Sequence, residues 1–218
     1  MHYRIIDMAS DPRSGQFAYF RGMTFPFAGL TVEMDITDMM TARGSRPFFL
    51  SLLYAVVRAA NAVPQLRRRL LPDGRVAEYD WCAPSYTVMK PDGVYVYATV
   101  EGNLAYEEFV AEGQRRQKEV LERGTLTEDG DLRSFFFVSS VPWLHYTHAQ
   151  NPMENPNDSN PRINWGKYVT ANGRTTLPVT LTVHHALADG LHISRFYQKL
   201  EEELAALTRQ WNESKKDF

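Results

Sequence analysis

The sequence is short of thiols. It holds a single cysteine, Cys82, in 218 residues, so no intrachain disulfide can form and a reducing compartment, the cytoplasm, is the expected setting. Cys82 lies between Trp81 and Ala83 and reads as a small buried apolar residue rather than a nucleophile. Long hydrophobic runs are missing too. The longest, Phe48 to Val57, is interrupted by Ser51 and Tyr54 and stops at Arg58; it is too short to cross a bilayer, so no membrane association is expected. The first residues, Met1-His2-Tyr3-Arg4-Ile5-Ile6-Asp7, lack the apolar centre of a signal peptide. Charge of one sign is not in excess: 24 Lys and Arg against 26 Asp and Glu leave a net −2, which gives no electrostatic basis for binding nucleic acid. The one basic cluster, Arg67-Arg68-Arg69, reads as a solvated helix end. Internal repeats and low-complexity tracts are absent.

What is present is the balance of a globular protein, 44% hydrophobic and 23% charged. Ser45 and Pro47 suit a helix start, and Phe49, Leu52, Leu53, Val56, Val57 and Ala60 follow at helical spacing. A buried helix to about Ala62, ended by Pro64, is expected. Pro72-Asp73-Gly74 is a turn, and Ser85–Met89 and Val94–Val100, joined by Pro91-Asp92-Gly93, read as a hairpin. A polar helix over Leu104–Arg123 closes at Gly124. Strands are expected at Phe135–Ser139, Ile163–Thr170 and Thr175–Val183, the last two turned by Asn172-Gly173. A final helix over Leu191–Leu207 carries the stripe Ile193, Phe196, Tyr197, Leu200, Leu204 and Leu207. Asn151–Pro161 is a surface loop and not a linker, because apolar strands resume at once. The sum is an α/β two-layer sandwich, helices packed on a mixed β-sheet, in a single domain over 1–218.

The stretch with chemical content is His184-His185-Ala186-Leu187-Ala188-Asp189-Gly190, between the last strand and the last helix. A histidine in a tight strand-to-helix turn suits a general base held by its surroundings. A structural account is equally open from the residues alone: one histidine packed, one exposed, and Asp189 capping the helix. A metal site is not expected. Neighbouring strand histidines point to opposite faces, and His192 lacks the usual zinc spacing to either.

This stretch, with Leu191-His192-Ile193-Ser194-Arg195-Phe196 after it, resembles the signature of the chloramphenicol O-acetyltransferases. The resemblance extends along the chain: Asp7, Arg13, Phe17 and Arg21 match the family's N-terminal spacing, Ser139-Ser140-Val141-Pro142-Trp143 its Ser-x-x-Pro-Trp segment, and Gly166-Lys167-Tyr168 its Ala-Lys-Tyr. Dihydrolipoamide acyltransferase cores and peptide-synthetase condensation domains share the bare histidine motif. The former need further domains that this chain lacks, and the latter are about twice as long.

The resemblance implies a CoA-dependent acyltransferase fold and direct acetyl transfer from acetyl-CoA to a small-molecule acceptor, with no acyl-enzyme. His185 would be the general base and His184 structural. Ser139 would donate to the oxyanion, with Ser140 as the neighbouring alternative. Asp189 would pair with Arg13 in a largely buried ion pair that supports the catalytic loop. A phosphorylated cosubstrate such as coenzyme A can use a few basic charges. Family members are homotrimers with active sites at subunit interfaces, where Trp143 could be buried.

Several positions depart from the family. Asn164 stands where a water-holding threonine is usual, and an amide can also bind a water. Phe20 replaces a tyrosine that contacts the antibiotic. Tyr95 and Tyr97 replace a phenylalanine and a much smaller alanine. Asn151–Pro161 is polar where the family is apolar, and Asp11 replaces a tryptophan. Phe20, Tyr95, Tyr97 and Asn164 are therefore the expected substrate-binding positions, and chloramphenicol, or else another alcohol or amine, the acceptor. A non-catalytic, trimeric small-molecule-binding protein is the reading from another class.

Overall fold

A computed structural model describes residues 2–126 and 130–214, so the expected domain 1–218 runs past the described residues at both ends. The chain runs β1 (Tyr3–Ile6), α1 (Ser14–Arg21), β2 (Phe27–Asp35), α2 (Thr37–Arg43), α3 (Phe48–Asn61), β3 (Arg68–Leu70), β4 (Val76–Tyr79), β5 (Ala83–Met89), β6 (Tyr95–Thr99), α4 (Tyr106–Arg123), β7 (Phe135–Ser140), β8 (Arg162–Trp165), β9 (Val169–Ala171), β10 (Arg174–His184) and α5 (Gly190–Ser214). The main sheet has the order β2-β10-β8-β7-β5-β6, with β9 paired to β10. The β5–β7 and β7–β8 pairs are parallel and the rest antiparallel. A small antiparallel sheet, β1-β4-β3, stands beside it. The mixed α/β sandwich expected from the sequence is thus present.

The core lies where the helices meet one face of the main sheet. On β10, Leu177, Val179, Leu181 and Val183 join the apolar cluster, and the alternate residues Thr180, Thr182 and His184 lie on the other face. Helix α3 is buried almost all round because α4, α5 and the sheet enclose it. Its polar Ser51 is satisfied by the Pro47 carbonyl at 2.7 Å and Tyr106 Oη at 2.8 Å. The close α3–α4 approach uses Gly113, where a Cβ would come within 2.7 Å of Leu50 Cδ2. Gly124 closes α4 in the left-handed conformation at φ 69°.

Three expectations need correction. Arg67-Arg68-Arg69 is not a solvated helix end. Arg69 is fully buried, donating to the carbonyls of Leu66, Arg68, Arg133 and Phe135 and to Cys82 Sγ, while Arg68 is 8% exposed and ion-paired. The strand expected over Ile163–Thr170 is two strands. It breaks at Gly166-Lys167-Tyr168, where a Cβ on Gly166 would meet the Leu144 carbonyl at 2.6 Å and Lys167 N–H donates to that same carbonyl at 2.7 Å. Helix α5 runs on to Ser214 because Trp211 extends its buried stripe.

Candidate active site

Strand β10 ends at the histidine pair, and Leu187 just beyond it packs against Leu70 and Val76 of the small sheet. His184, the last residue of β10, is buried. Its Nε2 lies 2.9 Å from the Pro156 carbonyl, and a carbonyl only accepts, so Nε2 carries the proton. Its Nδ1 accepts the Ala186 N–H at 3.3 Å. Burial lowers the pKa of His184, with the Pro156 bond acting against it, so the ring is held neutral.

The chain then leaves the sheet in a tight turn, with Leu187 and Ala188 N–H groups donating to the His184 carbonyl at 2.9 and 3.1 Å. His185 main-chain N–H donates to Pro26 at 2.7 Å. Its ring is stacked on Phe20, with centroids 3.9 Å apart and planes at 17°. Nδ1 of His185 is enclosed and has no hydrogen-bond partner among the described residues, which leaves the Nε2 edge for a substrate.

Arg13 grips this turn from below. Its Nε donates to Asp189 Oδ2 at 3.1 Å, its Nη1 to the Ala186 carbonyl at 3.3 Å and its Nη2 to the His185 carbonyl at 3.1 Å. The pair is less buried than expected: the Asp189 side chain is 31% exposed against 12% for Arg13, because the carboxylate sits at the open end of α5. Asp189 Oδ1 also accepts the Leu191 N–H at 3.0 Å, so the capping role and the ion pair coexist. Burial alone would raise the Asp189 carboxyl; the bond from His192 and the charge of Arg13 outweigh it and lower its pKa.

His192 is the residue that sequence reasoning set aside. The three-residue step that makes it a poor zinc partner is the helical step that brings its Nδ1 to 2.7 Å from Asp189 Oδ1. Burial lowers the His192 pKa, Asp189 acting against it, so a neutral imidazole donates to the carboxylate.

The remaining candidates gather elsewhere. Tyr95, Tyr97, Ser139 and Asn164 line a cavity of about 550 Å³ together with Trp143 and Arg162. Ser139 stands directly opposite Asn164 in the β7–β8 ladder. Strand alternation puts Ser139 on the face of Phe137 and Asn164, and Ser140 on the face of Val138 and Trp165. Arg162 lies 4.4 Å over the Phe137 ring and pairs with Asp158 at 2.5 Å. A larger cavity of about 750 Å³ adjoins. Among its charged walls, Asp158 pairs with Arg162 and Arg21 donates to the Gly74 carbonyl.

One chain therefore holds two separate clusters: His185, Phe20, Arg13 and Asp189 at the turn, and Ser139, Asn164, Tyr95 and Tyr97 on the sheet face. Asn164 pairs with both Ser139 and Thr180. Thr180 lies four residues, about 13 Å along the strand, before His184 at the end of β10, and His185 follows in the turn. Among the described residues no group of three or more His, Cys, Asp or Glu side chains is placed to hold a metal.

This two-layer sandwich, with its histidine turn at the end of β10, shares its fold with solved acetyltransferases. A solved dihydrolipoamide acetyltransferase from Azotobacter vinelandii has the same fold, with a TM-score of 0.66 at 18% identity, covering 88% of this chain and 86% of its own. The family model for chloramphenicol acetyltransferase matches residues 1–201, and the chain belongs to that family. It is 26% identical over 211 residues to the chloramphenicol acetyltransferase of Vibrio anguillarum, covering 95% of this chain and 96% of that one. A solved chloramphenicol acetyltransferase superposes with a TM-score of 0.77 at 30% identity, covering 93% of this chain and all of its own.

Proposed function

We propose that this protein is an acetyl-CoA-dependent chloramphenicol O-acetyltransferase with His185 as general base. The observation that carries the reading is the state of His185: ring clamped by Phe20, turn locked by Arg13, Nδ1 enclosed and Nε2 left open. Nε2 takes the proton from the acceptor hydroxyl as the oxygen attacks the thioester carbonyl of acetyl-CoA. The tetrahedral oxyanion accepts a hydrogen bond from the Ser139 hydroxyl, next to Asn164. Collapse expels the CoA thiolate, which recovers the proton from His185. No acyl-enzyme forms, and both substrates are held together so that orientation lowers the barrier. Arg13 and Asp189 support the loop, and no metal takes part.

The distance between the two clusters supports an active site shared between copies. A base must come within hydrogen-bond reach of the reacting group, about 3 Å, and His185 and Ser139 of one chain are too far apart to meet one substrate. A homotrimer, with His185 of one subunit facing the pocket of the next, closes that gap. The exposed Trp143, 64% accessible in the single chain, lines the pocket, and such an interface would cover it. The protein is further read as one domain over 1–218, working in the cytoplasm. No helix among the described residues is long and apolar enough to cross a membrane.

A second acceptor, another small alcohol or amine, is favoured by the bulk of Tyr95 and Tyr97 and by Arg162 in the pocket lining. The deciding experiment measures CoA thiol released from acetyl-CoA with chloramphenicol and a panel of alcohols and amines. Release with chloramphenicol that disappears in His185→Ala is the expected result. Release with another acceptor alone would reassign the substrate, and an unimpaired His185→Ala would remove the base.

A further inference from the structure

Helix α1 holds His185 from two sides. Arg13, just before it, donates to the main chain of the turn, and Phe20, near its end, stacks on the ring. Yet none of its eight residues is fully buried. Only Phe17 reaches an apolar cluster, the small one of Met8, Leu70, Val76 and Leu187. Hydrophobic packing is thus a weak constraint on where α1 sits, and charge supplies the constraint instead.

Asp11 is the centre of that anchoring. Its Oδ1 accepts the main-chain N–H of Arg13 at 2.9 Å, and its carbonyl accepts the N–H of Ser14 at 2.9 Å, which sets the start of the helix. Its Oδ2 accepts Arg68 Nη1 at 2.9 Å. Arg68 Nε continues to Glu78 Oε2 at 3.0 Å, and Glu78 Oε1 accepts Arg4 Nη2 at 2.7 Å. The Arg68, Asp11 and Glu78 side chains are only 9, 10 and 5% exposed, so salt screens these charges little. At the far end of α1, Arg21 Nη1 donates to the Gly74 carbonyl at 2.7 Å. Both anchors rest on β3, β4 and the turn between them. The small sheet is therefore the platform from which α1 reaches the histidine.

We propose that Asp11, backed by Arg68 and Glu78, is a positioning residue for His185. It fixes α1 so that Arg13 and Phe20 grip the histidine at its main chain and at its ring face. This rests on the reading of His185 as the base. The family resemblance puts a tryptophan at this position, so the ionic anchor is this chain's own solution. Orientation is where such an anchor acts, since a misplacement of about 1 Å can cost on the order of 100-fold in rate.

The test compares wild type, Asp11→Asn, Phe20→Ala, the combination of those two, and Asp11→Asn/Arg68→Met. The asparagine keeps the acceptor for Arg13 and removes the charge facing Arg68. The Asp11→Asn/Arg68→Met double variant removes both charges of that pair, so neither is left facing an empty partner, and Glu78 keeps its bond from Arg4. The expected result in both Asp11 variants is a kcat lower by about 10- to 100-fold with the KM for acetyl-CoA and acceptor little changed. In the Phe20→Ala background the Asp11→Asn effect shrinks, because the two residues act through one contact. Histidine ring NMR gives a readout that needs no turnover. Of the six histidines, the His185 signal, assigned by its loss in His185→Ala, moves in Asp11→Asn. Folded Asp11 variants with full kcat and an unmoved His185 signal would overturn the proposal. So would equal, additive losses with and without Phe20, or a loss confined to KM. If His185→Ala is as active as wild type, the base assignment fails, and the NMR shift alone then decides whether Asp11 positions the ring.

Discussion

The histidine turn and the sheet-face pocket are built on opposite terms. At the turn, Arg13, Asp189, His192, Phe20 and Pro26 together hold two residues through main-chain bonds, an ion pair and a stacked ring. In the pocket, the side chains project from ladder positions whose main chain is fixed by the sheet, while Tyr95 stays 42% exposed and loop residues such as Asn151 and Pro152 form the rim. The turn is over-determined and tolerates little. The pocket has a rigid floor and walls that can be changed without touching the scaffold. A reaction step needs its base within a fraction of an ångström, whereas acceptor choice is a matter of wall shape.

That contrast predicts that variants of the turn act on kcat and variants of the pocket on KM. The largest effect is expected for His185→Ala, a loss of kcat on the order of 10²–10⁴, with circular dichroism and melting temperature close to wild type because only a half-buried ring is removed. Ser139→Ala is the sharpest test, since Ser139 sits in the pocket but is assigned to the chemistry. Its kcat should drop about 10²–10³-fold with little change in KM; weakened binding alone would place the oxyanion donor elsewhere.

Stability should depend on pH through the turn. His184 and His192 are held neutral, with pKa values below the ordinary 6.5. The unfolded chain binds these protons first, so their contribution is present above about pH 6.5 and is lost as pH falls through the depressed folded values. Urea midpoints should therefore decline from pH 7 towards pH 5, by at most about 1.4 kcal/mol per pH unit for each histidine, and His184→Gln should flatten the decline. A midpoint constant over this range would mean that neither ring is held neutral. The smallest effect belongs to the pocket wall: Tyr97→Ala should lower the KM for chloramphenicol by a few-fold, a change of about 1 kcal/mol, and leave kcat in place.

Legibility followed burial. Helices α3 and α5 and strand β10 were readable because each buries a full stripe or face, and the hairpin β5–β6 because Pro91-Asp92-Gly93 marks its turn. No local pattern marked β1, α1 and β2. Helix α1 buries no residue fully and β2 only Met34, so neither carries a strong apolar period. The resemblance nonetheless placed Arg13 and Phe20, because it depends on residue identity and not on periodicity.

By itself, the sequence determined the candidate reacting groups: a histidine turn after an apolar strand, a serine at the end of another, and too few cysteines for an intrachain disulfide. Only the tertiary structure decided their arrangement. It set Ser139 beside Asn164 but far from His185, buried Arg69 among carbonyls, and tied α1 to the small sheet through Asp11 and Arg68. These outcomes come from pairings between residues far apart in the chain, such as Phe27 with His184 and Arg68 with Asp11. Such contacts depend on sheet register and on the neighbours that surround a charge, neither of which is written in any local run of residues.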